Sequence, residues 1–168
     1  MDLEDIEKQL GGGRNFDAPP LHLWHPELSG NIPIIIAADG TWYHEGDPIL
    51  RESLVRLFAS ILRREDDGEY YLVTPGEKWR LQVELHPLLV TDVSDDNGTL
   101  VLTLNTGKQV RVGDGHPLFL ESRRENVAGV ELWHGLTALF SRGAWYRLVE
   151  LADSDGVLSS GDYRFSLV

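Results

Sequence analysis

The sequence predicts an α+β protein made of two related β-rich halves, each with one helix. Short β-branched or alternating apolar runs, separated by glycine turns, indicate many strands. A weak internal repeat indicates the two halves. Gly40 is followed six residues later by Gly46, and Gly107 is followed six residues later by Gly113. In both places a hairpin, a helix and an aromatic strand are predicted in the same order, so we interpret the chain as an internal duplication. The alternative is chance agreement among common turn residues.

The first half begins with a buried strand, a tight Asp-Gly turn and a return strand. Leu54, Leu57, Phe58, Ile61 and Leu62 then follow with helical spacing. The predicted elements are strands at 32–38 and 41–44, a helix at 51–64, and strands at 70–73 and 79–84.

The second half has the same kinds of signals, with turns at 95–98 and 105–107. Its predicted elements are strands at 88–93, 99–104 and 108–112, a short apolar segment at 118–120, a helix at 132–141, and strands at 145–151 and 163–168. Residues 2–10 have helical spacing and are followed by a glycine stop at 11–13. We therefore predict an N-terminal arm at 1–20 and domains at 21–86 and 87–168.

Composition limits the classes of function. The formal net charge is -12, and binding to long nucleic acids or anionic membranes depends on basic surfaces, so both are disfavoured. No apolar run reaches the length of about 20 residues that a membrane span needs. The chain has no cysteine, which excludes disulfides and thiolate chemistry. We expect a cytoplasmic protein without a secretory signal.

Four sequence segments resemble a family of small, uncharacterised bacterial proteins, known as a domain-of-unknown-function family. The segments are DGTWYHEGDPILR (39–51), LVRLFASILRRE (54–65), VTPGEKWRLQVE (73–84) and SRGAWYRLVELA (141–152). The resemblance implies a duplicated protein whose C-terminal half is a partial barrel of the pleckstrin-homology type. It also implies a nucleotide-like ligand in the cleft between the halves and a role in signal transduction. The chain departs from the family pattern at 84–88, where Glu-Leu-His-Pro-Leu replaces an acidic residue followed by Ala-Pro-Phe.

Aromatic and charged side chains from two segments form the candidate ligand site. An aromatic face with one or two cations suits a nucleobase and a phosphate. The candidate residues are Trp42, Tyr43, His44, Glu45, Arg51, Lys78, Trp79 and Arg80. The alternative is that Trp42 and Trp79 fill the core and that the cations are solvated. Arg51 should lie at the start of a helix, paired either with an internal carboxylate such as Glu45 or Asp47 or with a ligand.

No catalytic residues, metal ligands or cofactors are predicted. His44 and Glu45 are adjacent on a strand and point to opposite faces, so they are unsuited to act as a base and its partner. The histidines at 22, 25, 116 and 134 lack the spacing of a metal site. The leading hypothesis is a non-catalytic module that senses a small anionic or nucleotide-like ligand. The alternatives are a protein-interaction scaffold with a protein partner and, more remotely, a hydrolase that uses His44.

Overall fold

The computed structural model describes residues 3–9 and 19–168. The described chain forms two compact units, Met1–Leu85 and His86–Val168. Within the described ranges, no helix is both long and apolar enough to cross a membrane. Helix α1 (Leu3–Gln9) confirms a helix within 2–10. The predicted glycine stop at 11–13 lies outside the described residues.

The N-terminal unit contains a six-stranded sheet in the order β3-β2-β1-β6-β5-β4. Its strands are β1 (Leu28–Ile36), β2 (Trp42–His44), β3 (Asp47–Pro48), β4 (Leu62–Arg64), β5 (Tyr70–Val73) and β6 (Lys78–Val83). Only the central pair, β1 and β6, is parallel, and all other pairs are antiparallel. The sheet therefore consists of two three-stranded meanders joined along a parallel ladder.

Helix α2 (Glu52–Ser60) packs on this sheet through Phe58. Phe58 is fully buried, and its ring centroid lies 6.5 Å from that of Trp42 on β2. The prediction of a helix as far as residue 64 was wrong, because residues 62–64 form β4 and pair with β5. Ile61 and Leu62 are buried in either conformation, so their helical spacing did not distinguish the two.

The C-terminal unit contains a second six-stranded sheet, in the order β10-β11-β12-β7-β8-β9. Its strands are β7 (Leu88–Asp96), β8 (Thr99–Leu104), β9 (Gln109–Arg111), β10 (Leu118–Glu121), β11 (Val127–Glu131) and β12 (Thr137–Phe140). Helix α3 (Arg142–Leu151) and the hairpin of β13 (Val157–Ser160) and β14 (Tyr163–Ser166) follow. Strands β9 and β10 are the sheet edges, so the unit is not a closed barrel.

The strand order is the same in both sheets, which agrees with the prediction of two related halves in an α+β protein. In each half the first and last strands form the parallel central pair. The predicted alignment of the repeat was shifted by one hairpin. Gly40 and Gly98 occupy the first turn of each half, whereas Gly46 and Gly107 occupy the second turn. Gly107 therefore corresponds to Gly46 rather than to Gly40.

The helix of the second half lies in a different segment from the predicted one. The prediction of a helix at 132–141 was wrong, because β12 occupies 137–140 and follows a turn at His134 and Gly135, both with positive φ. The prediction of a strand at 145–151 was wrong as well. Ser141 starts α3 as its N-cap, with its hydroxyl accepting a hydrogen bond from the Ala144 amide at 3.2 Å. The helices α2 and α3 are thus not equivalent in the two halves.

Glycine 129 allows an aromatic ring to lie against the second sheet. A Cβ atom at Gly129 on β11 would lie 2.3 Å from the Phe119 ring. We predict that Gly129→Ala lowers the free energy of unfolding by about 1 to 3 kcal/mol, because it overpacks this contact. Gly143→Ala is the matched control, since its Cβ meets nothing within 4 Å and α3 gains a better helix former. Urea unfolding of both variants checks this, and equal stability losses would contradict it.

Candidate functional site

The strand pleat separates the predicted site residues onto two faces of the first sheet. Trp42 and His44 pair with the buried residues Ile36 and Ile34, so they point to the core face. Arg80 pairs with Tyr71 on β5, and these two side chains point to the other face. By the same alternation Trp79 lies on the core face, whereas Tyr43 and Lys78 lie on the opposite one. The candidate residues therefore do not form a single surface.

The two tryptophans are mainly packing residues. Trp42 is 2% exposed and contacts Phe58. The ring of Trp79 lies over Gly30, where an added Cβ would be 3.3 Å from it. Both indole nitrogens are buried without a hydrogen-bond partner among the described atoms. An indole N–H in this state carries a desolvation penalty, which the large apolar area of each ring offsets.

The predicted cations on β6 lie against Tyr71. The Lys78 Nζ atom and the Arg80 Cζ atom lie 4.6 Å and 5.7 Å from the centroid of that ring. Lys78 also pairs with Glu65 at 2.9 Å, and Glu65 binds Arg63 at 2.6 Å. The Tyr71 hydroxyl donates to Asp67, which raises the pKa of Tyr71 and lowers that of Asp67. Lys78 is thus already paired with a carboxylate within the N-terminal unit.

A groove in the N-terminal unit brings together His44, Glu45 and Arg51. Its volume is about 600 Å³, and the end of β2, the turn after it and the segment before α2 contribute these side chains. The other lining residues are Leu3, Glu4, Glu7 and Leu54. The His44 Nε2 atom is buried without a hydrogen-bond partner in the described chain. Glu45 is in the left-handed region, at φ 52°, which a turn of this kind requires.

Arg51 has a partner that the sequence did not predict. It is the N-cap residue of α2 and makes no side-chain capping bond. Its guanidinium pairs with Glu7 of α1. The partner is thus an internal carboxylate, as one of the two alternatives predicted, but it is neither Glu45 nor Asp47. The arginine side chain is 56% exposed and that of Glu7 26% exposed. Because 44 residues separate the two groups, no local pattern could have indicated the pair.

A buried polar network in the C-terminal unit was missed entirely. His86 and Glu121 are each 6% exposed, and the His86 Nε2 atom lies 2.6 Å from Glu121 Oε1. The His86 Nδ1 atom lies 2.6 Å from the Thr137 hydroxyl, and Arg123 binds both oxygens of Glu121. The Arg123 guanidinium lowers the pKa of Glu121 to about 2, against the opposing effect of burial.

The charge of Glu121 determines how this network is protonated. An ionised Glu121 can only accept hydrogen bonds, so the imidazole Nε2–H donates to it. In the neutral imidazole, Nδ1 then accepts a hydrogen bond from the Thr137 hydroxyl. A hydroxyl, an imidazole and a carboxylate in this order can activate a nucleophile. Here Arg123 already binds both carboxylate oxygens, and the centroid of the Phe119 ring lies 5.5 Å from that of the imidazole. We therefore interpret the network as a structural link that joins β10 and β12 to the His86 segment.

Over residues 3–9 and 19–168, no three histidine or carboxylate side chains lie close enough together to hold a metal ion.

The two halves each match a family model. Residues 19–85 match the N-terminal domain, and residues 87–167 the C-terminal domain, of a domain of unknown function named DUF1285. The chain belongs to the DUF1285 family. This confirms the resemblance to an uncharacterised family of two-half proteins. No curated protein is significantly similar to the chain.

Two crystal structures of DUF1285 proteins are similar to this one. The protein from Silicibacter pomeroyi is 35% identical, with a TM-score of 0.83, and the match covers 95% of this chain and 94% of that one. The protein from Shewanella baltica is 31% identical, with a TM-score of 0.61, and the match covers 71% and 91%. These DUF1285 structures extend the similarity from sequence to fold.

The lowered pKa of Glu121 predicts a pH-dependent stability. In the unfolded chain this carboxyl titrates near 4.5, and in the folded unit near 2. Its contribution to stability is therefore complete above about pH 4.5 and is lost as the pH falls from there towards 2. We expect Glu121→Gln to flatten this part of the profile of unfolding free energy against pH. Glu150→Gln, which changes an exposed carboxylate on α3, is the control. An unchanged slope in Glu121→Gln would contradict the prediction.

Proposed function

We propose that this DUF1285 protein is a non-catalytic module that binds a small anionic or nucleotide-like ligand, and that the groove of the N-terminal unit is its site. The observation that carries the proposal is the convergence of His44, Glu45 and Arg51 on one cavity of about 600 Å³. This volume lies within the range of about 300 to 1,000 Å³ that is usual for small-molecule sites. The predicted residues Lys78 and Arg80 are not part of the site.

The groove offers partners for an anionic group. The Arg51 guanidinium can form two parallel hydrogen bonds with a carboxylate or phosphate. It lies at the N-terminus of α2, where unpaired backbone N–H groups and the helix dipole also favour an anion. The His44 side chain also lines the groove, with its Nε2 atom buried. An anionic group bound here would meet the guanidinium and the helix N-terminus at once.

The carboxylates of the groove favour hydrogen-bond donors elsewhere on the ligand. Glu4, Glu7 and Glu45 line the groove together with the apolar side chains of Leu3 and Leu54. A simple anion would be repelled by these carboxylates, whereas a nucleotide also has amino groups and an apolar ring face. This mixture of charges supports a nucleotide-like ligand over inorganic phosphate.

We propose a sensing role in the bacterial cytoplasm for the module. The chain has no cysteine and so cannot form the disulfides that are typical of proteins in oxidising compartments, and its net charge of -12 disfavours nucleic acids and anionic membranes as partners.

The competing class of function is a scaffold that binds a protein partner. A thermal-shift panel of nucleotides, sugars and phosphates separates the two. A ligand at 100 times its dissociation constant should stabilise the fold by about 2.7 kcal/mol. No shift at millimolar concentrations, together with a stoichiometric protein partner from lysate, would favour the scaffold.

Arg51→Ala tests the site itself. We predict that the variant loses less than about 1 kcal/mol of unfolding free energy, because the Arg51 side chain is 56% exposed and its pair with Glu7 is screened by solvent. Stabilisation by the nucleotide found in the panel should disappear. Arg56→Ala is the control, since Arg56 is an exposed arginine on the same helix and pairs with Glu52. The proposal fails if Arg51→Ala still responds to the ligand, or if both variants lose the response equally.

A further inference from the structure

Helix α1 forms one wall of the groove and is anchored at its far end. Ile6 is fully buried, which fixes the helix to the unit. The Gln9 side chain donates to Glu77 at 2.6 Å and accepts from the Thr74 hydroxyl at 2.8 Å. These bonds fasten α1 to the turn between β5 and β6. Its contacts with the groove can therefore change without detachment of the whole helix.

The side of α1 that faces the groove provides the ion-pair partner of Arg51. Glu7 pairs with Arg51, and both residues line the cavity together with Glu4. The Glu7 carboxylate thus already binds the guanidinium group that an anionic ligand would need. Because the pair is partly exposed, it is weak enough to be exchanged.

We infer that Glu7 is a built-in competitor for Arg51, and that α1 is a strap which an anionic ligand loosens by taking the place of the Glu7 carboxylate. This inference rests on the proposed function. The exchange replaces one carboxylate by one anionic group, so the arginine charge stays compensated throughout. It couples occupation of the groove to the freedom of α1, which is the kind of coupling that a sensor requires.

Binding measurements on Glu7→Gln test the competition. The probes are AMP and inorganic phosphate, measured by titration calorimetry with the full chain. We expect Glu7→Gln to bind AMP about five-fold more tightly than the unchanged protein, a factor that corresponds to about 1 kcal/mol. Asp5→Asn is the matched control, because it removes the same charge from an exposed position on the same helix and does not line the groove. Its affinity should stay within about two-fold of the unchanged protein. In the Arg51→Ala background, Glu7→Gln should have no effect.

Hydrogen exchange tests the strap. With AMP bound, the amides of residues 7–9, whose N–H groups are paired within α1, should exchange faster in the unchanged protein. In Glu7→Gln they should exchange fast with and without AMP.

The outcomes separate the two proposals. If AMP binds the unchanged protein but Glu7→Gln binds it no more tightly, or α1 is more protected with AMP, the strap is wrong and the groove remains the site. Binding by Glu7→Gln alone supports the strap, because the competitor then masks the site. If neither protein binds AMP or phosphate, both the strap and the proposed function fail.

Discussion

A parallel ladder at the centre of each sheet determines the course of the chain. In both units the first and the sixth strand are hydrogen-bonded side by side in the same direction. The chain must therefore run outwards through three strands, cross to the opposite edge, and return through three more. In the N-terminal unit this crossing contains α2, whereas in the C-terminal unit a short segment at 112–117 makes it and α3 follows the last strand. The same strand order can thus be combined with a helix from two different points of the chain.

The crossing also explains why the groove forms where it does. Strand β3 has only two residues, so the chain leaves the sheet edge immediately after the turn at Glu45 and Gly46. It then enters α2 at Arg51, which brings the helix N-terminus beside the end of β2. A polar turn and a helix N-terminus next to each other at a sheet edge produce a concave polar surface, and α1 completes its wall. The segment 39–51 is therefore important for its geometry as well as for its composition.

The sequence predicted the elements whose signals are local, and it failed where distant contacts decide. Glycine turns and alternating strands located most of both sheets, because positive φ and a period of two are properties of short segments. The segment 145–151 was misassigned because Trp145, Tyr146 and Val149 favour strands, while the cap at Ser141 and the burial of Leu148 decide for a helix. Likewise, the adjacent residues Lys78, Trp79 and Arg80 looked like one cluster until the pleat placed them on two faces. The pair of Glu7 and Arg51, and the network around His86, join segments that share no pattern.

The differing environments of the cations determine which of them can serve a ligand. Lys78 is largely buried, packs on Tyr71 and shares Glu65 with Arg63, so releasing it would leave a carboxylate without one of its partners. Arg51 is more exposed, and its one ion pair among the described residues is to a carboxylate on a short helix. The Arg51 side chain is 56% exposed, so its ion pair is weak and an anion of a ligand can replace the Glu7 carboxylate. In a chain with a net charge of -12, general attraction cannot draw an anion in, so the binding that we propose depends on a locally exchangeable cation. In the same proposal, the carboxylates around Arg51 provide selectivity, because they accept a ligand only if it also brings hydrogen-bond donors.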